Sequence, residues 1–599
     1  MMSISAPLPI YNKRIEDLSA DRIHLKNKQN GIAWGRFVCI VVMAISLYYA
    51  WPFGVFYTVL TVIVFMAVFL RLVILSAKNN EKIGSLDRLL LINQQEIDMA
   101  AGQYISLPDG HDFLPNNHDY ALDLDIFGRA SLYQYVNRTI SAQGQHDLSA
   151  WLLHPADPVT VLQRQEAARE LKDQYVWRQQ LQAHGMENQI TLLTRKKLAL
   201  WLEDPNRFTK PHWKWISILL PAIIIAALIF HLTGSLSSER FYGLVILFLF
   251  ISWFFSHKVK PAYIKLNQVV AEMTTLSNTI HCIEQNHFKS PLLSRLQQAY
   301  VYTSSKASLQ VKSLKAILDR LDYRLNPIVF IPLNIFLLWD LQQVLSLEKW
   351  KEENNNRVLA WFDALGEIEA LSSLATISFN HPDWCFPALD ERHGCFITSE
   401  LGHPLIPESK RVCNSFSTTG IAQLSLVTGS NMAGKSTFLR SVGVNMVLAM
   451  MGSPVCAKTF IMSPMRVMSS MRVSDNLEES TSTFYAELKK LKHIIEAVNR
   501  GEEVYLLLDE ILRGTNSLDR HTGSSTLIRQ LIRHGAVGML ATHDLELAEL
   551  AKDHPTQIHN YHFDVQVANE ELFFDYKLKE GVCRSMNASI LMKKIGIEL

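Results

Sequence analysis

The sequence predicts an α/β domain with a largely parallel sheet over residues 401–599, preceded by an all-helical region that carries two apolar hairpins. Three observations predict it. Short apolar runs at 424–427, 504–508 and 537–540 alternate with helical segments toward the C-terminus. Leucine-rich helical patterning fills 81–210 and 257–400. Long uncharged stretches stand within 1–80 and 211–256.

The first zone, residues 1–80, is a basic lead followed by an apolar hairpin. No residue from 37 to 70 is charged, and Pro52 and Gly54 divide the stretch into two spans joined by a tight turn. A helix needs roughly 17–25 apolar residues to cross a bilayer, which this hairpin meets. The second hairpin, 211–256, has uncharged runs at 215–232 (with Pro221 inside) and 241–255, the latter short for a full crossing. Trp51, Trp213, Trp215 and Trp253 fall at the expected interfaces. Arg22, Lys26, Lys28 and Arg36 precede the first span, and Arg71, Lys78 and Lys82 follow the second. Lys210, Lys214, Lys258 and Lys260 flank the other pair. With nearly uncharged turns, this asymmetry predicts a multi-pass protein of the inner or plasma membrane whose termini and soluble segments face the cytoplasm. Seven scattered cysteines, none at C-x-x-C spacing, suit reduced thiols and offer no zinc site. A net charge of +1 excludes a global field that would draw in nucleic acid.

In 81–210, Ile92, Ile97 and Met99 share one side, and Leu132, Tyr135, Val136 and Ile140 have the spacing of one helix. In 257–400, Val311, Leu314, Ile317, Leu318 and Leu321 form an amphipathic stripe that reads as core. The apolar run at 327–339, interrupted by prolines and Asn334, reads as a buried helix segment rather than a fifth span. Arg195, Lys196 and Lys197, and farther on Lys306, Lys312, Lys315, Arg320 and Arg324, are candidate phosphate contacts or simply solvated helix faces. Composition leaves both readings open.

The chemistry lies in 401–599. Residues 429–437 read GSNMAGKST and fit the pattern G-x-x-x-x-G-K-[ST] directly after an apolar strand. Backbone N–H groups of Gly429, Ser430, Asn431, Met432, Ala433 and Gly434 would form an anion nest at a helix N-terminus. Lys435 would reach the β- and γ-phosphates, and the Ser436 hydroxyl would ligate Mg²⁺, with Thr437 beside it. Downstream, a second apolar strand ends in Asp509, suited to Mg²⁺, and Glu510, suited to orienting or deprotonating a water. A third strand ends in Ala-Thr-His-Asp, so His543 stands where a γ-phosphate would be sensed. The ordered set predicts a nucleotide hydrolase using ATP and Mg²⁺.

With these motifs, and with SDNLEESTSTF at 474–484 and LLLDEILRGTNSLD at 506–519, the chain resembles the MutS family of mismatch-repair ATPases, a branch of the ABC-type ATPases. The segment 122–154 is similar to the opening of that family's helical core. The resemblance implies a P-loop ATPase domain and a composite active site in a homodimer. It further implies that Asn431 lines the γ-phosphate, that Ser482 and Thr483 reach the partner's nucleotide, and that Asp519 is the acid of the next loop. Helix capping is the competing role for Ser482 and Thr483. Three departures stand out. Ser430 replaces the family's proline, the glycine before Ser-Thr-Phe is missing, and no Phe-x-Glu element precedes residue 120. The expectation is therefore a membrane-anchored member without the N-terminal mismatch-recognition domain, with DNA left open as a partner. The alternative is a mechanochemical membrane ATPase acting on a protein.

Overall fold

The computed structural model describes residues 7–208, 210–266, 269–301, 305–430, 433–472, 483–568 and 571–583, without the side chains at 260–262, 483, 566–568 and 571–572. Helices α1 (Leu8–Ala50) and α2 (Val55–Ala100) pack antiparallel about a turn at Gly54, whose φ of +104° needs glycine. No proline lies between Pro52 and Pro108, so nothing stops α2 early. At 43 and 46 residues, each helix is about 65–70 Å long, twice a hydrocarbon core of ~30 Å. The boundary expected at residue 80 therefore falls inside α2. Toward the turn the hairpin exposes apolar side chains such as Tyr48, Trp51, Val55 and Phe56. Away from it polar bonds join the helices: Asn79 Nδ2 donates to Leu25 O (2.9 Å), and Gln29 Nε2 to Ser76 Oγ (2.8 Å).

The helical region continues with α3 (Leu132–Val136), α4 (Ala142–Leu153), α5 (Pro158–Lys172), α6 (Tyr175–Gly185) and α7 (Leu192–Glu203). Ser131, Ser141, Asp157 and Thr191 cap α3, α4, α5 and α7 through their side-chain oxygens. The single helix suggested by Leu132 to Ile140 is in fact broken. Asn137 takes an extended conformation, and Ser141 starts a new helix.

Helices α8 (His212–Leu232) and α9 (Ser238–Leu266) form the second hairpin, followed by α10 (Val270–Gln285), α11 (Pro291–Gln298), α12 (Ala307–Leu321), α13 (Pro327–Leu337), α14 (Trp339–Asn354) and α15 (Val358–Asn380). Among the described residues, four helices, α1, α2, α8 and α9, are long and apolar enough to cross a membrane. The α12 stripe is buried as its spacing foretold. The run at 327–339 is not: in α13 only Asn334 and Ile335 are buried, while Ile328 is 85% exposed. Prolines did not turn it inward. Pro327 opens α13 and Pro332 lies within it, and the helix ends after 11 residues where Leu338 (φ +47°) bends the chain by 79° into α14.

The C-terminal region holds two sheets. Strands β1 (Ala388–Leu389), β2 (Cys395–Leu401), β3 (Asn414–Thr419) and β5 (Thr459–Met462) form one, in the order β1-β5-β2-β3. The other runs β10-β9-β4-β8-β7-β6, from β4 (Leu424–Thr428), β6 (Arg466–Ser470), β7 (Val504–Asp509), β8 (Val537–Thr542), β9 (Ile558–Ala568) and β10 (Glu571–Glu580). All its pairings are parallel except β9 with β10. Every residue of β4, β7 and β8 is buried, which is why these strands read as continuous apolar runs. Helices α16 (Lys435–Met450), α17 (Thr483–Asn499) and α18 (Ser517–Arg533) complete this α/β unit, with a short α19 (Leu550–Asp553). One apolar core joins the sheet to residues of α3, α4, α5 and α15; a second lies among the helices alone.

Candidate functional site

The site lies at the carboxyl ends of adjacent parallel strands β4, β8 and β7, where ligands of open α/β sheets bind. After β4 the chain turns at Gly429 (φ +148°), where a Cβ would come within 2.8 Å of Phe563 O. It enters α16 at Gly434 (φ +104°). Lys435 is buried, and its Nζ donates to Gly429 O (2.6 Å) and Ser430 O (3.0 Å). Burial pushes its pKa down, against the pull of Glu510 and Asp509. Ser436 Oγ donates to Asp509 Oδ2 at 2.5 Å. Burial pushes the Asp509 carboxyl up, opposed by that bond and by Arg513.

Glu510 has a left-handed backbone (φ +48°), a strained state for a residue with a Cβ. Its N–H donates to Ala541 O (2.9 Å), which ties the end of β7 to β8. The carboxylate lies 3.6 Å from His543 Nδ1 and 3.3 Å from Arg513 Nε. A cavity of about 560 Å³ opens over Lys435, Ser436, Thr437 and Glu510. An ammonium, a hydroxyl and two carboxylates thus converge at a helix N-terminus, a set suited to a polyphosphate with a divalent cation.

The comparisons with known proteins fall on this same region. Residues 425–595 match the family described as MutS domain V. The chain carries a MutS domain V. Proteins named DNA mismatch repair protein MutS are similar to it over the C-terminal part. That of Desulfatibacillum aliphaticivorans is 31% identical over 238 residues, 38% of this chain and 26% of the relative. That of Chlorobium phaeovibrioides is 34% identical over 225 residues (36% and 25%), and that of Aquifex pyrophilus 33% over 237 residues (39% and 27%). The aligned part spans about a quarter of these relatives' length.

Within domain V, Gly429, Ser430, Lys435, Ser436, Asp509, Glu510 and His543 lie together at the strand ends. Asp519 does not line the cavity: its N–H donates to Asn516 Oδ1 and its carboxylate accepts from Asn516 Nδ2, a reciprocal cap at the start of α18. Asn431, Met432, Ser482 and the Thr483 side chain lie outside the described residues.

Several residues around the site escaped sequence reasoning. His403, Ile406 and Lys410, from the loop after β2, form one wall of the cavity. Burial pushes the His403 pKa down to about 4. Arg513 reaches both acids, donating to Asp509 O and Glu510 O. Glu487 is buried on α17 and accepts from Leu512 N, which braces the loop after Glu510. Its signal was present, an acid on the apolar stripe with Leu491, Ile494 and Val498. Asp123 of the helical region is fully buried and accepts from Ser469 Oγ (2.7 Å), Met471 N (3.2 Å), Arg472 N (3.0 Å) and Lys490 Nζ (2.6 Å). Asp119 and Asp125 add ion pairs to Arg466, Arg440 and Arg472 of domain V. Among the candidate phosphate-binding cations, Arg195 pairs with Asp363, Lys315 with Asp319, and Arg324 with Asp340.

Proposed function

We propose that this chain is a membrane-anchored MutS-like ATPase that binds and hydrolyses ATP in a composite site formed by a homodimer, and that nucleotide turnover moves its helical region. The observation that carries this reading is the Ser436–Asp509 contact beside buried Lys435, with Glu510 and His543 at the rim. Ser436 and Asp509 fit Mg²⁺: a hydroxyl and a carboxylate oxygen are 2.5 Å apart, and the carboxylate is poorly solvated without a cation. The ion would neutralise charge building on the phosphates. Lys435 would exchange its backbone carbonyl partners for phosphate oxygens. Glu510 would hold the attacking water and take its proton, with its orientation fixed by Arg513 and its left-handed backbone. His543 would report on the γ-phosphate. Ser482 and Thr483 are assigned to the partner's nucleotide, and Asp519 to the cap of α18.

The four long apolar helices and the flanking basic residues support anchoring in the inner or plasma membrane with domain V in the cytoplasm. Motion has a route. The buried Glu96 of α2 pairs with Arg138 of the core and accepts from Asn380 Nδ2 (2.7 Å) at the end of α15. Tyr11 of α1 donates to the same Asn380 (2.7 Å). Ile406 lines both the nucleotide cavity and a second cavity of about 630 Å³ at this hairpin base. A shift in the loop after β2 would therefore be felt by the hairpin.

DNA or a DNA structure is the load suggested by the names of the similar proteins. A second reading, a mechanochemical ATPase acting on a protein, gains from the carboxylate partners of Arg195, Lys315 and Arg324. Two measurements on the detergent-solubilised protein test both. Lys435→Ala should abolish Mg²⁺-dependent ATPase activity, and full activity would refute the site. DNA binding titrated with salt should fall steeply if phosphates are contacted. A flat titration without DNA-stimulated turnover selects the second reading.

A further inference from the structure

We propose that α13 is a third membrane element beside the second hairpin: a re-entrant half-helix whose outer face lies among the lipid acyl chains of the cytoplasmic leaflet. This rests on the reading of α8 and α9 as spans. Residues 325–339 contain no charge. The inner side of α13 packs on the apolar part of the hairpin rather than on the soluble core. Ile335 joins Ile224 of α8 and Phe248 of α9 in a small separate cluster. The outer side leaves Ile328, Val329 and Ile331 exposed, with Leu325 just ahead of the helix. The neighbouring helices α8 and α9 expose apolar side chains of their own, including Ile223, Ile246 and Phe250. An apolar patch of this kind, flanking two apolar helices, matches acyl chains rather than a polar protein surface.

The chain does not cross at α13. Its 11 residues reach about 16 Å, half of a hydrocarbon core of ~30 Å. Both ends return to the helical core. Before α13, Asp322 accepts from Tyr263 OH of α9 (2.7 Å). After it, α14 buries Leu341, Val344, Leu347 and Trp350 in that core.

The polar groups at the break turn inward, as non-helical backbone at membrane depth requires. Asn334 Oδ1 accepts from Asp340 N (3.1 Å), and Arg324 Nη2 donates to Ser256 O (3.1 Å) and Ser256 Oγ (3.0 Å) of α9. Arg324 Nη2 also lies 3.5 Å from the buried carboxylate of Asp340. Tyr323 and Trp339 stack at 5.8 Å where the segment enters and leaves, the place of interfacial aromatics.

The test uses the native full-length protein reconstituted into phosphatidylcholine/phosphatidylglycerol nanodiscs with a phospholipid carrying a diazirine in its acyl chain. After irradiation, adducts are mapped by peptide mass spectrometry. The expected result is labelling of the Ile328–Ile331 peptide within about threefold of that on α8 and α9, with none on the solvent-facing helix α11. Labelled α8 and α9 beside an α13 no more labelled than α11 would overturn the proposal alone. Unlabelled α8 and α9 would overturn the span reading and this proposal together.

Discussion

Asp123→Ala removes the acceptor that joins the helical region to domain V. Its carboxylate accepts two backbone N–H groups, from Met471 and Arg472, in an interface where Asp123 itself has no solvent exposure. Each buried N–H left without a partner costs about 1–3 kcal/mol. Lys490 keeps part of its hydration, since its side chain is 28% exposed, so its lost ion pair adds little. Local opening of the end of β6 should become easier by about 2–6 kcal/mol, the two N–H groups taken together. At 1.36 kcal/mol per factor of ten, that is roughly 30- to 25,000-fold faster amide exchange. Hydrogen–deuterium exchange of the peptide containing Met471 and Arg472 reads it directly, with β4 as the unaffected reference. Asp123→Asn, which keeps one acceptor oxygen, should fall between wild type and alanine. Unchanged exchange in Asp123→Ala would show that these bonds do not hold the interface.

The other expectations concern the site and the hairpin base. Glu96→Gln should leave Arg138 as an uncompensated buried charge, weakening hairpin docking by about 3–5 kcal/mol. Faster proteolysis between 101 and 118 would report it, and adding Arg138→Met should restore part of the loss. Because Arg138 and Asn380 outweigh burial and hold the Glu96 carboxyl below its usual range, docking strength is present above the unfolded carboxylate pKa. It is lost as pH falls through the lower native value, and a pH series of the same proteolysis checks this. His403 shows the same sign of pH dependence in a higher window. Its native pKa of about 4 lies below the unfolded value of about 6.5, so the unfolded chain binds the extra proton and the C-terminal α/β region loses stability from about pH 6.5 down to about 4. His403→Gln should flatten that part of a melting-temperature profile against pH.

Much of the site was legible because its chemistry is local. A strand, a glycine turn and a lysine at fixed offsets already place Lys435 and Ser436, and strand ends place Asp509, Glu510 and His543. What was illegible depends on contacts between distant parts of the chain. Asp123 lies 346 positions before Ser469, and nothing in its neighbourhood names that partner. Ile406 and His403 sit in an irregular loop without periodicity. The helical zones were found by pattern, but their ends were not: α2 runs through the boundary at 80 because nothing breaks it, whereas Asn137 and Ser141 cut the helix that Leu132 to Ile140 suggested. For α13, hydropathy showed an apolar segment but not which side would be covered.

The most direct test is the mass of the nanodisc-reconstituted Glu510→Gln variant with Mg²⁺ and ATP, measured beside its single-turnover hydrolysis. The expected result is a stable dimer of domain V that forms only with ATP, together with turnover slowed by ~10²–10⁴-fold against the wild type. A variant that hydrolyses ATP at the wild-type rate and stays monomeric would contradict both the role of Glu510 and the composite site.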